Sequence, residues 1–327
     1  MSGPVAVHVR VPATSANLGP GFDTLGLALS IYDELEVTAL APGELSIEVT
    51  GSGASEIPRD ESHLIVTTIR RCFAEAGRTA PGLGIVAHNG IPHGRGLGSS
   101  GAAVAAGVLA ARGLLEALTG ERVLADTDLL RIATEIEGHP DNVAPALFGG
   151  LTIAWTEHGA PRYKKLLVHR GVSPVVFVPE RTMSTSTARS VLAAEVSRED
   201  AVFNVSRSAL LIAALTQSPD LLLSATEDKL HQERRAQAMP ETFALVRALR
   251  EQGFAAVVSG AGPSVLVLAD GPAARLDAAA AVESESQGVW QPFMLAVDFL
   301  GGTVRPASEN PTPDAPMFDG VNQPDEQ

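Results

Sequence analysis

Pro92-His93-Gly94-Arg95-Gly96-Leu97-Gly98-Ser99-Ser100-Gly101-Ala102 sets four glycines and two adjacent serines after an apolar stretch and before an Ala- and Leu-rich one. The preceding residues, Leu83–Ala87, predict a strand, and those from about Ser99 to Leu118 predict a helix. Within the run, Gly96-Leu97-Gly98-Ser99-Ser100-Gly101 fits the G-x-G-x-x-G pattern of dinucleotide sites. That pattern requires a tight turn directly after its strand and an acidic residue on the next strand. Here the strand ends well before Gly94, and Glu121 lies just beyond a helix. A Walker A loop is excluded, because Gly-Lys-Ser/Thr does not occur. The remaining reading is a phosphate cradle of another kind. Glycines let backbone N–H groups approach an anion, and a helix starting at Ser99 adds the positive end of its dipole. Ser99 and Ser100 can then serve a phosphate oxygen and a Mg²⁺ ion. A plain capped turn needs fewer glycines and serines than this.

Composition narrows the classes around that loop. The chain has 327 residues, 45% of them hydrophobic and 19% charged, enough for one large or two modest domains with a sizeable core. A net charge of −14 argues against nucleic acid as a partner, since phosphate neutralisation needs a basic surface. A small phosphorylated ligand needs only a few local donors. Cys72 is the single cysteine, so neither an intramolecular disulfide nor a cysteine-based metal cluster can form; it reads as a small buried hydrophobe. Met1–Ser15 has no apolar core of signal-peptide length. The most apolar predicted helix, Ala102–Leu118, is interrupted by Arg112 and Gly113 and is expected to be too short for a bilayer. No membrane partner and a cytoplasmic location are therefore expected.

Alternation predicts a strand at Val5–Val11, then a Gly/Pro-containing stretch over Pro12–Gly26. Strands are expected at Ile31–Leu40 and Glu44–Thr50 around the Pro42-Gly43 turn, and a helix over His63–Ala76. A second helix is expected at Asp126–Glu137, capped by Asp126 and Thr127. Gly149-Gly150 precedes a strand at Leu151–Trp155, and a domain boundary is placed near His158–Pro161. Beyond it the pattern predicts a strand at Val175–Val178 and helices at Ser184–Leu192, Ala201–Leu215 and Pro240–Gln252. Strands at Ala255–Ser259 and Val265–Ala269, a helix at Pro272–Glu283 and a closing strand at Gln291–Phe299 complete a β/α alternation. The division expected is 1–160, 161–303 and a disordered acidic, proline-containing tail at 304–327.

The loop resembles the second of three ordered motifs of the GHMP kinases. The first corresponds to Pro12-Ala-Thr-Ser-Ala-Asn-Leu-Gly-Pro-Gly-Phe-Asp-Thr-Leu-Gly26 and the third to Ser259-Gly-Ala-Gly-Pro-Ser264. The resemblance covers about residues 5–300. It implies a two-domain α+β GHMP kinase fold, with an N-terminal ribosomal-S5-like α/β domain that binds ATP and a C-terminal ferredoxin-like α/β domain. The first motif and Glu135-Ile-Glu-Gly-His-Pro-Asp-Asn-Val-Ala-Pro-Ala-Leu-Phe-Gly-Gly150 are most similar to the homoserine kinase branch. That implies ATP-dependent phosphorylation of the L-homoserine hydroxyl to O-phospho-L-homoserine, a step of threonine biosynthesis, by an enzyme of a group that tends to be homodimeric. A kinase for another alcohol, of mevalonate or sugar type, is the competing reading, and a non-catalytic ligand sensor of the same fold stands behind it.

The resemblance also implies roles. Asp23, helped by Asn17, takes the substrate ammonium; Arg189, in the same motif as Thr185, and Arg235 take the carboxylate, which suits bidentate guanidinium geometry. His139, Asn142 and Gly260 join the substrate set, and Asn142, Asn17 and Arg189 are the expected catalytic residues. Residues 92–102 (Pro92, His93, Gly94, Arg95, Gly96, Leu97, Gly98, Ser99, Ser100, Gly101, Ala102) bind ATP together with His63, which stands where the family usually has asparagine near the purine. Mg²⁺ falls to Ser100 and Glu135, with Glu137 as the alternative. Where mevalonate kinase and galactokinase place an aspartate, this chain has Asn142, and an amide cannot act as a general base. Catalysis by positioning and charge neutralisation suffices for a loose phosphoryl-transfer transition state. Asn142→Ala is expected to lower kcat/KM by more than about threefold through loss of hydroxyl orientation, as read from steady-state kinetics.

Overall fold

Residues 4–193, 195–286 and 289–307 are described by the structure, a computed structural model. Strands β1 (Ala6–Ala16) and β2 (Leu25–Leu40) form its spine, antiparallel from Ala6 opposite Thr38 to Ala16 opposite Gly26. The register shifts between Pro12 and Ala13, where proline offers no N–H to the ladder. β1 thus runs five residues into the Gly/Pro-containing stretch over Pro12–Gly26, where no strand is expected. Residues 12–16 are buried throughout, so they carry no in–out alternation to reveal a strand.

β3 (Leu45–Gly51) follows a tight turn but does not pair with β2. After helix α1 (Leu64–Glu75), strand β4 (Gly82–Asn89) inserts between them, antiparallel to β2 and parallel to β3. Helices α2 (Ser99–Thr119), α3 (Asp126–Glu137) and α4 (Pro140–Phe148) cover the sheet, and β5 (Leu151–Glu157) and β6 (Ala160–Leu166) extend it beside the start of β2. The expected boundary at 158–161 is the turn joining β5 to β6 within this one sheet; the change of sheet comes between Leu166 and Val172.

The second sheet has the order β10-β7-β9-β8, from β7 (Val172–Pro179), β8 (Ala256–Val258), β9 (Val265–Asp270) and β10 (Trp290–Met294). Between β7 and β8 lie α5 (Thr185–Ser190), α6 (Arg198–Thr216), α7 (Leu222–Ala225), α8 (Gln232–Arg235) and α9 (Pro240–Glu251), and α10 (Gly271–Ser286) follows β9. Val175, Phe177, Val258, Val265 and Val267 pack against α9 and α10, while Val176, Val178, Val257, Leu266 and Leu268 join the larger core with α6 and α7. Burial on both faces explains why these strands read as continuous apolar runs.

Several expectations need correction. The strand expected to reach Phe299 stops at Met294, and the chain returns to the first sheet through a bridge between Val297 and Leu29. Asp298 fastens that return: it accepts the Tyr32 hydroxyl (2.8 Å) and the N–H groups of Leu300 (3.0 Å) and Gly301 (2.6 Å). β11 (Thr303–Pro306) then pairs with β1, so the first part of the expected tail is an edge strand; 308–327 lie outside the described residues. Only a tertiary partner, β1, makes a strand of so short and polar a segment. At α3 the N–H of Ala125 is capped by Asp128 Oδ2 (3.0 Å) rather than by Asp126 or Thr127. Finally, α2 has 21 residues and is long and apolar enough to cross a membrane, contrary to the expectation of a shorter element. It has 72% of its apolar window buried against β1, α1, α3 and α4.

Gly107 lies where α2 packs tightly against α1. A Cβ there would stand 2.6 Å from Thr68 Cβ. Gly107→Val is expected to lower the unfolding free energy by about 1–3 kcal/mol through overpacking, read as a lower urea midpoint at unchanged m.

Candidate active site

Three chain segments converge where β1 ends. Thr14 donates its N–H to the Leu97 carbonyl (3.0 Å), and the Ser259 hydroxyl lies 2.9 Å from that of Ser15 and 2.7 Å from the Gly96 carbonyl. Asn17 crosses the junction: its Nδ2 donates to the Gly260 carbonyl (2.8 Å) and its Oδ1 accepts the Asp23 N–H (2.9 Å). Asn17, Leu18 and Asp23 all hold positive φ (69°, 51° and 53°), a cost of about 1–3 kcal/mol each that surrounding contacts must offset. A Cβ on Gly96 would come 2.4 Å from the Ser259 carbonyl oxygen, and one on Gly98 2.0 Å from Thr14 Oγ1. Glycine is therefore demanded at both places by contact as well as by φ.

A cavity of about 190 Å³ opens at this junction. Gly94, Gly96, Gly98, Ser99 and Ser100 form one wall, with Gly98 in the left-handed cap position of α2. Asn17, Asp23, His139, Asn142, Arg189, Arg235 and Gly260 line the rest, so sequence-predicted substrate residues from β1–β2, α4, α5, α8 and the β8–β9 turn meet in one place. Thr185 opens α5, but its side chain lies outside the described residues.

Arg189, Arg235 and His139 each have partners within the protein. Arg189 donates to both carboxylate oxygens of Asp23, at 2.7 and 3.1 Å. Arg235 is 1% exposed and donates to the carbonyls of Ala188 (3.1 Å) and Gly260 (3.3 Å) and to His231 Nδ1 (3.0 Å). That bond puts the His231 proton on Nε2, which donates to the Gly19 carbonyl (2.7 Å). Burial holds the pKa of both Arg235 and His231 below their ordinary values. His139 Nδ1 lies 2.6 Å from buried Asp141 Oδ1, and this hydrogen bond raises the histidine pKa. Pro140 at the first turn of α4 and Asp141 near its positive end favour this placement.

Asn142 Oδ1 accepts the Thr14 hydroxyl (2.9 Å). Ser100 donates to Glu137 Oε2 (2.8 Å), and burial raises the Glu137 pKa. Glu135 is turned away: it pairs with Arg71 (2.7 Å) and Arg131 (3.0 Å), outside the cavity. The first-choice carboxylate of the sequence reading is thus a surface ion-pair partner, and the alternative, Glu137, faces the serine. Ser100 and Glu137 are hard oxygen donors of the kind Mg²⁺ takes, and a half-buried carboxylate whose pKa is raised by burial gains from an arriving cation. Among the described residues no group of three or more His, Cys, Asp or Glu could hold a metal ion.

Arg95 also departs from expectation. Its guanidinium donates to the carbonyls of Pro179 (2.9 Å), Glu180 (2.6 Å) and His93 (3.2 Å), tying the loop to the end of β7. Pro92, Leu97, Gly101 and Ala102 are buried and shape the loop from beneath. A second cavity, about 280 Å³, shares His93, Ser99 and Ser100 with the first and is walled by Leu35, Val49, Ile57, Ala87, Ile91 and Ala103. His63 lies in it, 4% exposed, its Nδ1 accepting the Ile65 N–H (3.3 Å) as the cap of α1, with its pKa lowered by burial. Asp33, accepting the Ile91 N–H (2.9 Å), has its pKa pushed up by burial to about 6. Sequence reasoning left Thr14, Asp141 and Ser259 without roles. The first and last stand inside quoted motifs, and Asp141 directly precedes Asn142.

Comparison with known proteins agrees with this geometry. The GHMP kinases N terminal domain matches residues 63–150, and the GHMP kinases C terminal domain matches 207–286. A homoserine kinase of Clavibacter michiganensis subsp. michiganensis is 62% identical over 311 residues, 94% of this chain and 97% of that protein. One from Leifsonia xyli subsp. xyli is 60% identical over 308 residues, 93% and 94% of the two chains. The crystal structure of homoserine kinase from Cytophaga hutchinsonii superposes with a TM-score of 0.80 at 26% identity, covering 93% of this chain and 99% of that one. Two sheets, a glycine loop at the start of α2, and identity of this extent place the chain in the GHMP kinase family, among its homoserine kinases.

Proposed function

We propose that the protein transfers the γ-phosphoryl group of ATP to the side-chain hydroxyl of L-homoserine. The observation that carries this reading is the meeting, beside the glycine loop, of one carboxylate (Asp23), two guanidinium groups (Arg189 and Arg235) and the Asn142 amide. A zwitterion with a primary hydroxyl needs one anion, a cationic clamp and a hydroxyl-orienting group, and a sugar or mevalonate has no use for the full set. The apolar second cavity suits a purine, and phosphates reaching from it toward Asn142 pass the N–H groups of the loop and the start of α2. Neutral His63 would present its Nε2–H to the base.

Ser100 and Glu137 would hold Mg²⁺; when bound, the ion supplies charge neutralisation at the phosphates. The Asn142 amide, its Oδ1 engaged by Thr14, has its N–H groups to offer the substrate oxygen. No protein base is needed at that position. Positioning of the hydroxyl in line with the β–γ bridge is the work asked of the chain. A cytoplasmic location belongs to the same reading, as do the division of labour between the two sheet-centred units and homodimer formation.

Assays of ADP release with L-homoserine, mevalonate and galactose test the substrate: turnover is expected with L-homoserine, and its absence sinks the reading. Glu137→Gln is expected to raise the Mg²⁺ concentration needed for half-maximal rate by at least about tenfold. Glu135→Gln, which loses only exposed ion pairs, is expected to stay within about threefold of the parent.

A further inference from the structure

The two groups assigned to opposite ends of the substrate are bonded to each other. Arg189 Nη2 stands 2.7 Å from Asp23 Oδ1 and Nη1 stands 3.1 Å from Oδ2, the parallel two-bond geometry that a guanidinium makes with a ligand carboxylate. Asp23 therefore occupies the place of a substrate carboxylate, and Arg189 the place of a substrate ammonium. Two neighbouring charges are already engaged. Arg235 is buried with its Nε on the Ala188 carbonyl and its Nη1 on the Gly260 carbonyl and His231, and Asp141 is bonded to His139. A ligand that uses Asp23 or Arg189 must exchange partners with the pair.

We propose that the Asp23–Arg189 pair is a charge latch that makes the site select alcohols carrying both an ammonium and a carboxylate. The proposal rests on the homoserine kinase reading and adds to it a source of specificity. A zwitterion opens the latch in an exchange without loss of pairing: its ammonium replaces Arg189 at Asp23, and its carboxylate replaces Asp23 at Arg189. A singly charged alcohol replaces only one side of the pair and leaves the other member facing water; with the two side chains 37% and 36% exposed, solvent softens that loss but does not restore the two-bond geometry. Rejection of the wrong ligand thus comes from the cost of breaking a pair already formed in the site.

The latch makes a prediction that simple contact residues do not. Removing one of its members should improve the alcohol that lacks the matching charge. 4-Hydroxybutanoate has the carboxylate and the hydroxyl; 3-aminopropan-1-ol has the ammonium and the hydroxyl. In Asp23→Asn the main-chain N–H to Asn17 is kept, and asparagine tolerates the φ of 53°. Arg189 is then released, and kcat/KM for 4-hydroxybutanoate is expected to rise at least about tenfold above the parent while that for L-homoserine falls. Arg189→Gln is expected to do the reverse, raising kcat/KM for 3-aminopropan-1-ol.

Thermal unfolding and ADP binding of both variants check that the fold and nucleotide site survive, and the second variant serves if the first does not fold. Parallel loss of kcat/KM for L-homoserine and both singly charged alcohols, or no gain for either alcohol in its matching variant, would overturn the latch while leaving the kinase reading intact. A parent protein that fails to phosphorylate L-homoserine at all would overturn the reading itself, and the latch with it.

Discussion

The Ser259 hydroxyl, 2.7 Å from the Gly96 carbonyl and 2.9 Å from the Ser15 hydroxyl, sits where the end of β1, the glycine loop and the β8–β9 turn touch. The rest of the site depends on that approach. Two backbones can come so close only where one lacks a side chain, and a Cβ on Gly96 would overlap both the Ser259 and Gly262 carbonyl oxygens, at 2.4 and 2.7 Å. Asn17 spans the same junction from the other side. Its amide uses one end on Gly260 and the other on the Asp23 backbone, so the segment that presents Asp23 is fixed to the turn that borders Arg235. The two sheets are thereby joined at the cavity rather than merely near it.

Electrostatics inside the cleft differ from the average of the chain. The protein carries −14 overall, and the cleft brings two guanidinium groups and the positive end of α2 beside three carboxylates, Asp23, Glu137 and Asp141. Three charges there have internal partners: Arg189 with Asp23, His139 with Asp141, and buried Arg235 with carbonyls and neutral His231. Glu137 is the contrasting case, a carboxylate bonded only to Ser100 and driven by burial toward its protonated form. It gains most from an arriving cation.

Helix and strand positions in the first half were largely legible because amphipathic spacing and glycine punctuation act locally; the predicted span of α3, Asp126–Glu137, is the span observed. What periodicity could not resolve was which of two glutamates on that helix faces the loop. Glu135 and Glu137 are two residues apart and point to different faces. The choice follows from Arg71 and Arg131, remote in sequence, which claim Glu135. The Arg95 side chain is a related case: its reach to the Pro179 and Glu180 carbonyls depends on the end of β7, more than eighty residues away.

By itself, the sequence determined the family through three ordered motifs, the glycine positions, the absence of a base at Asn142 and the identity of the charged residues available to a ligand. Those follow from residue chemistry and short-range spacing. Only the tertiary structure decided that Thr303–Pro306 is a strand, that Glu137 rather than Glu135 meets Ser100, that Thr14 orients Asn142, and that Asp23 and Arg189 hold each other. Each of these depends on contacts between residues far apart in the chain, and a side chain's partner is set by which backbone folding brings within about 3 Å of it.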